Sequence, residues 1–239
     1  MTTVSRGVEA RSLCGTIVWQ NDALVLVDKR PCILTVPGRQ GADDARPCLG
    51  RWLEGELGRR LWPIHRLDYE VSGAVLFALN PQAHRIASVA FESRTVHKIY
   101  HAFTRFSEAA LPSGDVQTWE SLLVRGKRRS FVAPHGQLAR TQARYIRRVF
   151  ATEAGIFGAS GDVALWELKP ETGRAHQLRV HLANAGFPIA GDVLYGGAAA
   201  SEGTAGIALR AVSLAFADAK VCQLLGVPTS FELASLFAP

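Results

Sequence analysis

The hydrophobic pattern changes period several times along the chain. GTIVWQND and ALVLVDK are short runs rich in β-branched residues, broken at Asn21-Asp22, which predicts two strands joined by a turn. PCLGRWLEGELGRRL places Leu49, Trp52, Leu53 and Leu57 at helical intervals and predicts an amphipathic helix. HRLDYEVSG has no period and reads as a loop, and the apolar run GAVLFAL after it reads as a buried strand. NPQAHRIASVAFES predicts a helix with Asn80 as N-cap and Pro81 at the first helical position. HKIYHAFTRF, ARTQARYIRRVF and DVALWELKP alternate as strands do. TGRAHQLRVHLANAG predicts a further helix, opened by Thr172 and closed by Gly186, with Pro188 beyond. IALRAVSLAFA and SFEL read as closing strands. Many strands and few helices, with no internal repeat or long linker, predict an α+β fold with a central mixed or antiparallel sheet flanked by helices and loops.

Composition narrows the setting. The 239 residues are 48% hydrophobic and 20% charged, enough for a sizeable core. No apolar run approaches the roughly 18 to 20 residues of a membrane helix. The opening MTTVSRGVEARSLCG lacks an apolar region of the kind secretion signals carry. Cys14, Cys32, Cys48 and Cys222 form no C-x-x-C pair, which argues against a disulfide framework and a zinc ribbon and for a reducing cytoplasm. The net charge is +6, and its distribution says more: Arg125, Lys127, Arg128, Arg129, Arg140, Arg144, Arg147 and Arg148 fall between Ser121 and Thr152 with no acid among them. A solvated strand face is the plain reading. Such a stretch repels itself unless phosphates neutralise it, which points to RNA or DNA as partner.

Several chemistries are excluded by spacing. His176 and His181 lie five apart, about 140° round a helix, whereas a helical zinc pair needs i and i+4. His97 and His101 have four between them but sit on a predicted strand, where that spacing spans about 13 Å. No metal site is expected. No G-x-S-x-G elbow is present, and Ser72-Gly73 is better read as a turn. No G-x-G-x-x-G follows the first strand. What remains is one carboxylate among cations: Asp68, with Arg66 beside it and Arg174 and Arg179 on the later predicted helix.

Three stretches, HRLDYEVSG, HKIYHAF and ETGRAHQLRVHLANAGFPIAGDVLYGG, together resemble the motifs of the RluA-type pseudouridine synthases: H-R-L-D-x-x-x-S-G, K-x-Y-x-A and T-G-R-x-H-Q-L-R-V-H-L…G-x-P-I-x-G-D-x-x-Y-G. The resemblance runs from Gly15 to Phe216. It implies the α+β catalytic fold of that family and an RNA uridine isomerase acting on rRNA or tRNA. Residues 1–14 are then an N-terminal extension and 15–239 the catalytic domain, too short in front for the S4-like RNA-binding domain of many relatives. Asp68 matches the catalytic aspartate; attack on the sugar, attack on the ring and abstraction of a sugar proton all remain open to it. Tyr100 matches the tyrosine that packs on the base, Arg179 the arginine that pairs with the aspartate, and Arg66 an arginine contacting RNA beside it. Arg174, Lys98, Arg128, Arg129 and Arg140 are the further candidate RNA contacts.

This assignment has a physical rationale. An aspartate has a pKa of about 3.9 in water, but burial against a base raises it by up to ~5 units, and a protonated acid serves neither as nucleophile nor as base. A neighbouring arginine offsets that by ~1 to 3 units and orients the carboxylate through its fork, which lysine lacks. No cofactor is expected, because the bond broken and the bond made belong to one substrate. His65, His176 and Gln177 read as hydrogen-bonding scaffold, Asp192 as a loop-ordering residue, and Tyr195, Trp52, Trp62 and Trp166 as core. Three departures from the family pattern fall at Val71, at the Arg30-Pro31-Cys32 turn and at Arg210. The rival readings are a catalytically silent RNA-binding or ribosome-assembly factor on the same fold and a basic DNA-binding module. The second lacks any helix-turn-helix or zinc-finger spacing. A monomer with no membrane attachment suffices for either activity.

Overall fold

Local stitching decides where the first strands turn. Asn21 Oδ1 accepts from the backbone N–H of Ala23 and Leu24, both at 2.8 Å, and closes the turn between β1 (Gly15–Gln20) and β2 (Leu24–Lys29). The computed structural model describes residues 13–38, 44–107, 114–150, 161–200 and 205–235. All but the last two residues of the expected N-terminal extension lie outside them. The fold contains eleven strands and four α-helices among the described residues, in the α+β class expected. Its contacts fall into two units, Met1–His97 with Ser213–Leu233 and Lys98–Val212 with Ala234–Pro239.

In the first unit β2 pairs antiparallel with β1 on one side and with β4 (Ser72–Ala78) on the other, in register from Leu24↔Ala78 to Lys29↔Gly73. The apolar runs VLV and AVLFA are buried, as their lack of alternation required. Gly73 has φ 110, a backbone conformation only glycine adopts without strain. β3 (Trp62–Pro63) also pairs with β4. α1 (Leu49–Leu57) buries Leu49 and Leu53 and stops at the left-handed Gly58. α2 (Pro81–Glu92) starts as expected, with Asn80 Oδ1 accepting from Ala83 N–H at 2.8 Å. The unit closes with the end of β10 (Leu209–Phe216), α4 (Ala219–Leu225) and β11 (Ser230–Glu232). The sequence reading gave no helix at α4, although Asp218 caps it and Gly226 ends it.

The second unit is an antiparallel series in the order β5 (Val96–Arg105), β9 (Val163–Pro170), β8 (Gln137–Val149), β6 (Gln117–Arg125), β7 (Ser130–Val132). Trp166 lies fully buried at its centre, ringed by Trp119, Tyr145 and Phe187, its indole N–H on Thr104 Oγ1 at 2.9 Å. Trp52 and Trp62, by contrast, are half-buried rather than core. α3 (Gln177–Asn184) packs Val180 against Leu123 of β6 and Ala139 of β8.

α3 begins five residues later than its expected start at Thr172. The Thr172 hydroxyl is used elsewhere: it donates to Gln177 Oε1 at 2.6 Å and accepts from Arg140 N–H at 2.9 Å. His176, just before the helix, takes the left-handed φ of 56°. No helix of the described residues is long and apolar enough to cross a membrane.

Candidate active site

Asp68 sits in a loop pinned from four directions within the first unit. His65 Nε2 accepts the Leu76 N–H of β4 at 3.1 Å, and its ring stacks on Phe91 of α2 at 4.8 Å. Thr35 Oγ1 donates to Leu67 O at 3.0 Å and accepts from Leu67 N–H at 3.1 Å. Behind the loop lies Lys29, fully buried at the end of β2. Its ammonium donates to Arg30 O (2.9 Å), Ile33 O (2.8 Å) and Tyr69 O (3.3 Å). Asp68 O itself accepts from Val71 N–H at 3.2 Å, and the Val71 side chain is buried. Val71, the first of the three departures, thus serves packing.

Lys29 is the residue that sequence reasoning missed. Burial pulls its pKa from 10.5 down to about 8, while Cys32, Asp68, Glu70 and Cys14 pull it back. A buried lysine in the field of Asp68 is thereby both the clamp of the loop and a fixed charge behind the carboxylate. Within VLVDKRPC nothing local marks it, because Asp28 beside it makes the strand end look polar. The same ammonium holds the departing turn. Cys32, in the Arg30-Pro31-Cys32 departure, has φ 57, a left-handed value that glycine adopts at less cost. Arg66 is exposed and has no ion-pair partner among the described residues.

The second unit carries the other expected residues. Tyr100 lies half-buried on β5 opposite Leu168 of β9. Lys98 is sheltered enough for burial to lower its pKa, and a Cβ on Gly173 would stand 3.9 Å from its Nζ, so its amine lies by the TGR loop. Arg179 is 1% exposed on α3, and its Nε and Nη2 donate to the two oxygens of Asp192 at 2.7 and 2.8 Å. Asp192 thus does more than order a loop: it anchors the arginine. The Tyr195 ring lies 5.2 Å from the Arg179 guanidinium carbon. Tyr195 packs half-buried against the Leu123–Ala139–Val180 core cluster, as expected, and it also carries a polar role. Its hydroxyl accepts from Ser130 N–H at 2.7 Å, donates to Ser130 O at 3.1 Å and meets His176 Nδ1 at 2.9 Å. Arg125 reaches the other imidazole nitrogen, Nε2, at 2.9 Å. With the tyrosine proton on Ser130 O, His176 is the neutral Nδ1–H tautomer and Nε2 accepts from arginine. A chain of contacts therefore joins Arg125, His176, Tyr195, Arg179 and Asp192.

Gln177 is the scaffold residue expected, and its amide is fully used. Nε2 donates to Arg140 O and Thr141 Oγ1, both at 2.9 Å, and Oε1 accepts from Thr172 and from Arg174 N–H. His181 is buried against Ser121 and Thr141 hydroxyls, and burial lowers its pKa to about 4, which keeps it neutral at pH 7. Arg210, at the third departure, donates from Nε to Ala234 O at 2.9 Å.

The basic stretch needs correction. Arg140 pairs with Glu120 and Glu171, Arg144 with Glu167, and Arg148 with Asp162. Acids on neighbouring strands neutralise these three, so the self-repulsion expected of the whole stretch does not apply to them. Lys127, Arg128 and Arg129, in the exposed turn between β6 and β7, have no such acid among the described residues.

Comparison with known proteins identifies the family of the chain. The family described as RNA pseudouridylate synthase matches residues 23–184. The chain is 32% identical over 191 residues to the Bacillus subtilis "Uncharacterized RNA pseudouridine synthase YhcT", covering 76% of this chain and 57% of that protein. It is 30% identical over 228 residues to the "Dual-specificity RNA pseudouridine synthase RluA" of Vibrio vulnificus, covering 93% and 82%. A Chloroflexus aurantiacus relative, also described as an uncharacterized RNA pseudouridine synthase, is 33% identical over 67% of this chain and 47% of its own length. The chain thus spans about half the length of two of these relatives. The solved human RNA Pseudouridylate Synthase Domain Containing 1 superposes with a TM-score of 0.69 at 24% identity, covering 89% and 83%, which shows the same fold. With a family match that includes the pinned Asp68 loop and the Arg179 helix, the chain belongs to the RNA pseudouridylate synthase family.

Proposed function

We propose that this protein isomerises uridine to pseudouridine at a chosen site in structured RNA, with residues 15–239 as the catalytic domain. Asp68 acts on an extruded uridine, whose flipping costs a few kcal/mol. Tyr100 receives the base and returns roughly 1 to 3 kcal/mol by stacking. Arg179 takes the role of the arginine that partners the catalytic aspartate. Arg66, Arg174, Lys98, Arg128 and Arg129 contact the RNA, and Arg140 does so only by exchanging Glu120 for phosphate. The substrate is a stem-loop of rRNA or tRNA, the protein acts as a cytoplasmic monomer, and no cofactor or metal takes part.

The observation that supports this reading best is the pinning of the Asp68 loop by Lys29, Thr35 and His65. A surface ion pair has no need of a buried ammonium and a doubly bonded threonine behind it. Preorganisation of this kind serves a reacting group. The test is Asp68→Asn, which keeps shape and removes charge. Total RNA from cells lacking the gene is incubated with each protein and new pseudouridines are mapped. The unaltered protein converts defined uridines; the variant binds the RNA and converts none. Conversion by the variant would refute the assignment of Asp68. Failure of the unaltered protein to convert any uridine would favour the silent RNA-binding factor.

A further inference from the structure

Within the second unit a cavity of about 300 Å³ opens between the β6–β7–β8 strands and the TGR loop. Arg125, Arg174, His135 and Gln137 supply its polar lining and Leu123 and Ala175 part of its wall. None of the lining residues is an acid, and none is Asp68, Tyr100 or Arg179. The walls are fixed. Ser130 Oγ donates to Ala175 O at 2.7 Å and ties the hairpin to the loop. A Cβ on Gly136 would stand 2.5 Å from the Leu122 carbonyl carbon, so the β7–β8 turn is pressed onto β6 with no space for a side chain. Both guanidinia are held from one side. Arg174 donates from Nε to Leu138 O at 3.1 Å, and its terminal nitrogens have no partner among the described residues; Arg125 is tied by Nη1 to His176 at 2.9 Å.

We infer that this cavity binds one nucleotide of the RNA other than the isomerised uridine. Two forks without a carboxylate suit a phosphate, since guanidinium matches its oxygens bidentately. Gln137 offers a donor and an acceptor and His135 a ring nitrogen, which can read a base edge, while Leu123 gives the base an apolar floor. The volume lies at the lower end for small-ligand sites, about 300 Å³ upward, and admits a single extruded nucleotide rather than a helical segment. The hairpin is thereby a second reader of the RNA, and it sets which sequence or loop around the target is accepted. This inference rests on the RNA-modifying reading of the protein.

The experiment uses the full chain with ¹⁵N-labelled arginine side chains, assigned with Arg125→Lys and Arg174→Lys. The probes are inorganic phosphate, the four nucleoside 5′-monophosphates, RNA hexanucleotides of different sequence and hexaglutamate. Hexanucleotides and monophosphates are expected to shift the Arg125 and Arg174 signals at lower concentration than inorganic phosphate, with one base preferred. Arg174→Gln is expected to weaken hexanucleotide binding roughly tenfold, as loss of a charge-assisted contact does. Gln137→Ala, at an exposed position, is expected to level the base preference and leave the phosphate response. Absence of shifts, equal response to inorganic phosphate and nucleotides, or hexaglutamate binding as tightly as RNA would each overturn the inference. The Asp68→Asn protein is expected to show the same shifts. If Asp68→Asn stays active while the shifts persist, the catalytic assignment fails and the nucleotide site stands; if it is inactive and no shifts occur, the reverse holds.

Discussion

At the scale of single residues, Lys29 carries the most testable chemistry outside the motifs. Its pKa of about 8 in the folded chain lies below the 10.5 of an unfolded one. Between those values the unfolded chain binds more protons, so the wild-type protein gains stability as pH rises through that window. Below pH 8 both states are protonated, and the full cost of burying the ammonium is present. Lys29→Met removes the titration. The difference in unfolding free energy between the two proteins should therefore move in favour of wild type by roughly 3 kcal/mol from pH 7.5 to 10.5. Urea denaturation across a pH series measures it. A difference that does not vary with pH would show that Lys29 titrates as an exposed lysine does. Asp68 was legible from HRLD because four consecutive residues carry it. Lys29 was not, because Tyr69, whose carbonyl it holds, lies forty residues away in the chain.

At the scale of elements, α3 and the loop before it show how tertiary partners override a local signal. Thr172 and Gly186 bracket a convincing helix, yet the Thr172 hydroxyl and the Gln177 amide are spent on each other and on β8, and the helix starts only at Gln177. The strands with uniform apolar runs, β2 and β4, were readable because burial on both faces leaves its mark in composition. The β6–β7 hairpin was not, since its exposed face mixes Leu122, Val124 and Phe131 with a basic turn and follows no single period. The arginine this element carries, Arg179, is held by Asp192 and faced by the Tyr195 ring. Asp192→Asn leaves a buried guanidinium without its carboxylate and should cost about 3 to 5 kcal/mol of stability, with conversion of uridine lost. Tyr195→Phe keeps the ring under Arg179 but strips Ser130 N–H and His176 of their hydroxyl. It should cost about 1 to 3 kcal/mol. Denaturant unfolding of both variants decides the point: if Asp192→Asn is no worse than Tyr195→Phe, Asp192 is not the anchor of Arg179.

For the molecule as a whole, net charge is a poor guide to where RNA binds, because pairing is settled across strands rather than along the chain. The acids that meet Arg140, Arg144 and Arg148 come from β6, from β9 and from the residue just before it, and from Glu171, 14 to 31 positions away; no local count of charges includes them. An exposed ion pair adds little to stability, about 0 to 1 kcal/mol, but it does cancel a charge that RNA would otherwise feel. Under the proposed function, the field that steers a polyanion therefore comes from cations with no acid partner among the described residues, chiefly Lys127, Arg128 and Arg129 at the hairpin turn, with Arg66 and Arg174. Each phosphate neutralised on a single strand contributes about −0.7 to the slope of log affinity against log salt. Replacing Lys127, Arg128 and Arg129 together by alanine should make that slope shallower by roughly 2. Replacing Arg144 and Arg148 together should change it by less than about 0.7, because each substitution also frees an acid that repels RNA. Fluorescence anisotropy with a labelled RNA stem-loop over a salt series gives both slopes. Equal effects from the two sets would mean that cross-strand acids do not screen the arginines they pair with, and that the whole stretch from 125 to 148 acts as one cationic surface after all.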